Sequence, residues 1–140
     1  MNGWFVNKLF NEEPTGTFAT GYVFTCQPDL SSARPDPANG YWHCNLANQN
    51  KLNWSERVYE LFGRPAGVPI LREWAVGRYT KPSKAALESV RKYALSRHFG
   101  FILDAKIRPE GALTRSIRVL AIPILENNRV VALHGVKRAL

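Results

Sequence analysis

The chain has 140 residues, 45% of them hydrophobic and 21% charged, which matches one globular domain and excludes two packed ones. Two cysteines, Cys26 and Cys44, are too few for a disulfide scaffold. No run of about 18 apolar residues offers a membrane span, and Met1-Asn2-Gly3-Trp4 does not open a basic-then-apolar leader, so a reduced, cytoplasmic protein is expected. The net charge of +8 is unevenly placed: residues 1–70 carry five Lys/Arg against six Asp/Glu, and residues 71–140 carry fourteen against five.

Residues 1–39 read as an arm. Val6, Leu9 and Phe10 share one face of a short helix, and the stretch Thr17 to Cys26 holds Phe18, Tyr22 and Phe24 at alternate positions, the period of a strand. Pro28, Pro35 and Pro37 then fall within ten residues, which neither a helix nor a central strand accommodates. A boundary is therefore expected near Asn39, with the domain proper over 40–140. The arm is too short to fold alone, so its aromatics Trp4, Phe5, Phe18, Tyr22 and Phe24 must pack on the domain or on a second chain.

From Gly40 the pattern sharpens. Trp42, Cys44 and Leu46 alternate on one face, the polar Ala47-Asn48-Gln49-Asn50 turns the chain, and Lys51-Leu52-Asn53-Trp54 returns as the second strand of a hairpin. Ser55 stands at a helix N-cap position, Glu56 suits the positive helix end, Val58, Leu61 and Phe62 share a face, and Gly63 with Pro65 ends the helix. A second helix is expected between Ile70 and Tyr79, with Leu71, Trp74, Ala75 and Arg78 at helical spacing. The third is opened by Pro82 and Ser83, turns Leu87, Val90 and Ala94 inward and ends before Gly100. Phe101, Leu103, Ala105 and Ile107 then alternate with Ile102, Asp104, Lys106 and Arg108 to give a strand with one apolar and one mainly polar face. Ile117, Val119 and Ala121 mark the next strand, where Pro123 suits an edge or bulge, and Asn127-Asn128 turns into a last strand over 129–137. Strands before and after a run of helices give an antiparallel α+β domain.

The residues Gly40-Tyr41-Trp42, the run Leu52-Asn53-Trp54-Ser55-Glu56-Arg57-Val58-Tyr59-Glu60-Leu61-Phe62-Gly63, the run from Phe101 to Gly111, and Gly135-Val136 resemble the PAS sensory domains, in particular the subgroup opening with a Gly-x-Trp strand. The resemblance covers about residues 40–138 and implies a five-stranded antiparallel sheet with short helices on one face, around a cavity. The chain departs from the family pattern in four places. Lys81-Pro82-Ser83-Lys84 replaces a His-Pro-acidic-acidic helix entry, Ala105 stands where the family often has a large aromatic, and Ser116 stands where Trp commonly follows Arg. The family's Asp-Ile-Thr exit is replaced by Ala139-Leu140. With no effector module in the sequence, a signal is expected to leave through a partner or a homodimer.

Neither cysteine lies in the Asn-Cys-Arg setting of flavin photochemistry, and Cys44, on the apolar face of its strand, reads as a small buried hydrophobe. Haem would find only His98 as an axial ligand, since His43 and His134 fall in strands, and a histidine there more simply meets the carbonyls of a helix end. The cofactor is thus left unassigned. No Cys-x-x-Cys or helical histidine pair offers a metal site, no Gly-rich phosphate loop is present, and no nucleophile stands with a base, so an enzyme is not expected. The basic string Arg78-Tyr79, Lys81, Lys84, Arg91-Lys92-Tyr93 and Arg97 raises nucleic-acid binding. Glu88, four residues from both Lys84 and Lys92, reads instead as ion-pair decoration of a solvated helix facing water or an acidic effector protein. The expected function is sensing or protein interaction. A small apolar or planar ligand would sit against Trp42, Cys44, Trp54, Val58, Leu61, Phe62, Leu103, Ala105, Ile117 and Val119, any of which can equally be plain core. A ligand-free dimerisation scaffold is the alternative, motivated by the arm's aromatics; nucleic-acid association through the basic half is a further one.

Overall fold

The computed structural model describes residues 16–18 (backbone only), 21–25 and 36–140. Its elements in chain order are β1 (Gly16–Phe18), β2 (Gly21–Phe24), β3 (Gly40–Asn45), β4 (Lys51–Trp54), α1 (Glu56–Phe62), α2 (Arg72–Gly77), α3 (Lys81–Arg97), β5 (Gly100–Ile107), β6 (Arg115–Glu126) and β7 (Arg129–Ala139). The strands form one sheet in the order β1-β2-β5-β6-β7-β3-β4, every neighbouring pair antiparallel. Five of them, β3 to β7, are the expected set. The other two come from the arm. The stretch expected as one strand over Thr17 to Cys26 folds into a hairpin, Thr17 opposite Tyr22, and β2 then adds to β5 with Tyr22 opposite Ile102 and Val23 opposite Phe101. The helix expected near Val6, and the side chains of Trp4, Phe5, Phe18 and Cys26, lie outside the described residues.

The helices cover one face of the sheet. Between them and the sheet lies a core that includes Val58, Leu61 and Phe62 of α1, Leu87, Val90 and Ala94 of α3, and Phe101, Leu103, Ala105, Ile107, Ile117 and Val119 of β5 and β6. The opposite face, expected to be mainly polar along β5, carries a second apolar cluster of Tyr22, Phe24, Ile102, Leu120, Ile122 and Val136. Tyr22 and Phe24 are thus buried within their own chain, 5% and 1% exposed, and a second chain is not needed to remove them from water. Strand alternation explains the split: paired residues share a face, so Tyr22, Ile102, Leu120 and Val136 line up across four strands. On the same face Arg118 donates Nε–H and Nη2–H to the two oxygens of Asp104 directly opposite, at 2.6 and 2.9 Å.

Turn chemistry follows the sequence closely. Asn127 and Asn128 both adopt positive φ, 51° and 62°, the conformation that a two-residue hairpin needs and that asparagine tolerates. Pro123 sits in the part of β6 beyond its pairing with β5, one residue before a register shift at Ile124/Leu125, so no ladder bond is lost on the β5 side. Gly63 closes α1 at φ 73°, and a Cβ there would stand 2.8 Å from the Glu110 carbonyl oxygen.

Helix entries differ from expectation. Ser55 occupies the N-cap position of α1, but its hydroxyl accepts the Tyr41 N–H at 2.8 Å and so ties the helix start to β3 instead of capping it. α3 starts at Lys81, one residue before the expected opening at Pro82 and Ser83, with Thr80 at the N-cap position and Pro82 in the first turn. Ser83 Oγ accepts the Lys106 N–H at 2.8 Å, which docks that turn on β5. The exit of α3 is made by His98 at φ 59°, so Gly100 is free to open β5. α2 buries Ala75 and Val76, while Leu71, expected within the helix at helical spacing with Trp74 and Ala75, precedes it and is 68% exposed.

Candidate ligand cavity

A cavity of about 60 Å3 lies between the sheet and the helices. Trp42 and Cys44 of β3, Leu52 of β4, Phe101 of β5, Val119 of β6, and Leu133 and Lys137 of β7 form its floor. Arg72, Ala75 and Val76 of α2, Tyr79 beyond it, and Leu87 and Arg91 of α3 form its roof. Two of the large floor residues stand in one row of the sheet. Across the sheet the row Trp42, Gly135, Ala121, Phe101 places two small residues between two large ones. Gly135 also lets the Trp42 indole reach past β7 and donate to the Leu120 carbonyl at 3.2 Å, where a Cβ on residue 135 would stand 1.8 Å from that same oxygen.

Lys137 dominates the chemistry of the cavity. It is 8% exposed, on the inward face of β7, and the ring centroids of Phe62, Trp42, Tyr79 and Trp54 stand 4.9, 5.4, 5.5 and 5.7 Å from its Nζ. Its hydrogen-bond partner is the Tyr79 hydroxyl at 3.1 Å, and among the described residues no carboxylate pairs with it. Removal from water disfavours the ammonium and brings its pKa down to about 7, with Arg72 acting in the same direction and Cys44 against it. Burial likewise pushes the Tyr79 phenol up, so it stays protonated.

The other polar groups are partly tied. Arg72 pairs with Glu88 across α2 and α3, and Arg91 donates to Asn50 Oδ1 at 3.3 Å. Burial lowers the Arg91 pKa, with Arg72 adding repulsion, although a guanidinium remains charged at neutral pH. Burial raises the Cys44 thiol, against the pull of Arg91, Arg72 and Lys137, and its Sγ lies 3.9 Å from Asn50 Oδ1. A protonated, 3% exposed thiol is a poor nucleophile, in keeping with its reading as a small hydrophobe.

Of the ten residues expected to line a pocket, Trp42, Cys44 and Val119 do so. Val58, Leu61, Phe62, Leu103, Ala105 and Ile117 are buried in the core around it, and Trp54 packs against that core, its ring 4.7 Å from Phe62. Trp54 and Phe62 still bear on the cavity through the cage they form at Lys137. Ala105 faces inward as expected but does not border the space, which lies by Trp42, Phe101 and Lys137. Sequence reasoning missed Arg72, Tyr79, Arg91 and Lys137; the signal available was phase, since Lys137 follows Leu133 and Gly135 at the strand period.

The basic string is not one exposed surface. Tyr79 is buried, Arg91 faces the cavity, Arg78 lies 5.5 Å over the Trp74 ring, and Arg97 stacks 3.9 Å over Tyr93. Glu88, read as the partner of Lys84 and Lys92, pairs instead with Arg72. His98 serves as the αL residue that ends α3. Among the described residues no three His, Cys, Asp or Glu side chains converge on a metal position, and no helix is long and apolar enough to cross a membrane.

No protein-family model and no curated protein sequence matches the chain. Solved structures do. The N-terminal domain of a diguanylate cyclase with PAS/PAC sensor from Marinobacter aquaeolei superposes with a TM-score of 0.65 at 14% identity, over 72% of this chain and 94% of that one. A sensory box histidine kinase/response regulator from Burkholderia thailandensis gives 0.63 at 13%, over 74% and 77%. An RNA-binding Light-Oxygen-Voltage receptor gives 0.63 at 15% identity over 74% of this chain, which spans only 29% of that receptor's length. The chain therefore has the α+β fold of PAS and LOV domains, as its Gly-x-Trp strand and following helix led one to expect. At these identities the likeness is one of fold.

Proposed function

We propose that the protein is a sensory domain that binds a small molecule between its sheet and helices and passes the change to a partner or a second copy, with no catalysis of its own. Residues 40–140 are the sensing core and residues 1–39 the arm that carries or receives the signal. The observation that supports this reading most is the cavity itself: a buried, mostly apolar space with a few convergent polar groups, at the place where α2, α3 and the sheet meet. A ligand that binds one arrangement of these helices better than another shifts the population between them, and the exposed faces then report it. An effector with an acidic face would suit the basic second half of the chain.

The test is native mass spectrometry of the purified protein, with an absorbance spectrum and sedimentation of the same sample, followed by a screen of small metabolites by thermal shift. A bound mass, or a compound that raises the melting temperature and is displaced by filling the cavity with Ala75→Leu, supports the sensor. A protein that carries nothing, responds to no compound and dimerises through its arm is a docking scaffold, and the sensor reading falls.

A further inference from the structure

We propose that the cavity binds a small carboxylate of about four to six non-hydrogen atoms, its charge held by Lys137 with Arg91 and Arg72 and its short apolar body by the remaining walls. This rests on the sensor reading above and narrows it to a ligand class.

Charge is the first argument. Three cationic side chains, Lys137, Arg91 and Arg72, line a space whose wall contains no Asp or Glu among the described residues. Glu88, paired with Arg72, is the acid at its edge. Lys137 has three N–H donors, and the phenol oxygen of Tyr79 takes one. The surrounding rings attract an ammonium but supply no lone pair, and a buried cation without a counterion carries a desolvation cost that an anion would offset. A carboxylate has two oxygens and so accepts from an amine and a guanidinium at once.

Size and polarity give the rest. A water needs about 10–15 Å3 of such space, so a cavity of about 60 Å3 takes a molecule on the scale of four to six heavy atoms. The other walls, Ala75, Val76, Leu87, Phe101 and Leu133 among them, suit a short alkyl or oxo-alkyl chain. A metal cation is repelled by the same three charges, and a large planar chromophore exceeds the space.

Protonation adds a signature. The groups facing Lys137 are Tyr79 and Arg72 from the α2 side, Arg91 with Glu88 from α3, and Cys44 from β3. Cys44 and Tyr79 are both raised and stay neutral through pH 6–8, and the arginines stay charged, so Lys137 is the wall group that titrates. Carboxylate binding therefore takes up a proton as pH rises through 7, and affinity weakens.

The experiment titrates the full chain with propionate and with pyruvate at pH 6.5, with propionamide as the neutral isostere and sodium chloride as the simple anion. Tryptophan fluorescence and amide NMR shifts are the readouts. Saturable binding of a carboxylate is expected, at least tenfold tighter than propionamide or chloride, at least tenfold weakened by Lys137→Met, and weakened between pH 6 and 8. Arg91→Gln, at a half-buried position, is the second variant and is expected to weaken binding severalfold while its thermal melt stays that of a folded protein. Equal binding of propionamide overturns the anion site while leaving a sensor of neutral ligands, and equal binding of chloride overturns the carboxylate class. If neither these probes nor a wider neutral set bind, the sensor reading falls with it.

Discussion

Gly135 shows how one residue can fix the path of a large side chain. It lies opposite Trp42 on one side and Ala121 on the other, and the Trp42 indole crosses β7 at this point to reach the Leu120 carbonyl. A Cβ at 135 would sit 1.8 Å from that oxygen, a backbone atom that has no rotamer to retreat into. Gly135→Ala must therefore move a strand or expel the indole, and it should cost on the order of 3 kcal/mol, the upper part of the range for overpacking a filled interior. Urea unfolding followed by tryptophan fluorescence measures this directly. A change within a few tenths of a kcal/mol would mean that Trp42 is not held across β7, and the floor of the cavity would have to be redrawn. The sequence carried a hint here, since Gly135-Val136 is part of the PAS resemblance, but the glycine's purpose depends on a tryptophan more than ninety positions away and on a strand in between.

At the scale of elements, local rules were most legible where the chain acts on itself. The helical spacing of Val58, Leu61 and Phe62 and the αL glycine after them place α1 to the residue, and the asparagine pair at 127–128 does the same for the β6–β7 hairpin. Long-range partners were less legible. Ser55 and Ser83 look like caps, and each instead accepts an N–H from a distant strand. Glu88 looks like a partner for lysines on its own helix and pairs across to Arg72, because side chains choose among neighbours in space. The arm is the largest such case: its alternation promised a strand, yet nothing local says that β2 will extend the edge of β5. Phe24 tests that joint. It is 1% exposed in the second cluster, and its ring fills the space beside Gly100. Phe24→Ala should lose about 3–5 kcal/mol, as deletion of a buried ring does. If chemical denaturation finds the variant as stable as the parent, β2 contributes no more than an accessory strand.

For the whole molecule, the layer order was legible because apolar phase identifies which face of each element is buried. The cavity was not, because phase cannot tell a buried residue packed on all sides from one that borders a space, and Lys137 was passed over because a lysine near the end of a strand is ordinarily solvated. That buried lysine has a global consequence. Its pKa is about 7 in the folded chain against 10.5 as a free side chain, so between pH 7 and 9 the unfolded chain holds a proton that the folded one has released. Stability then rises with pH across this window, by up to about 1.4 kcal/mol per unit. Below 6.5 the lowered His134 acts in the same direction, because the unfolded state again binds the extra proton and stability falls as pH falls. Above 9 the raised Cys44 opposes the Lys137 term, which persists to 10.5, and toward 10 the raised Tyr79 adds to the opposition and reverses the sign, since both keep protons in the folded state that the unfolded chain gives up. The profile expected from urea midpoints is thus an ascent from pH 6 that flattens above 9 and turns over between about 9 and 10. In Lys137→Met the ascent between 7 and 9 should vanish, and the variant should exceed the parent at pH 7 by about 1–4 kcal/mol, the gain seen when a buried charge gives way to an apolar side chain of similar length. A parent profile flat from 7 to 9 would show that the ammonium is not desolvated, and a less stable Lys137→Met at pH 7 would show that the aromatic cage more than compensates the charge it encloses.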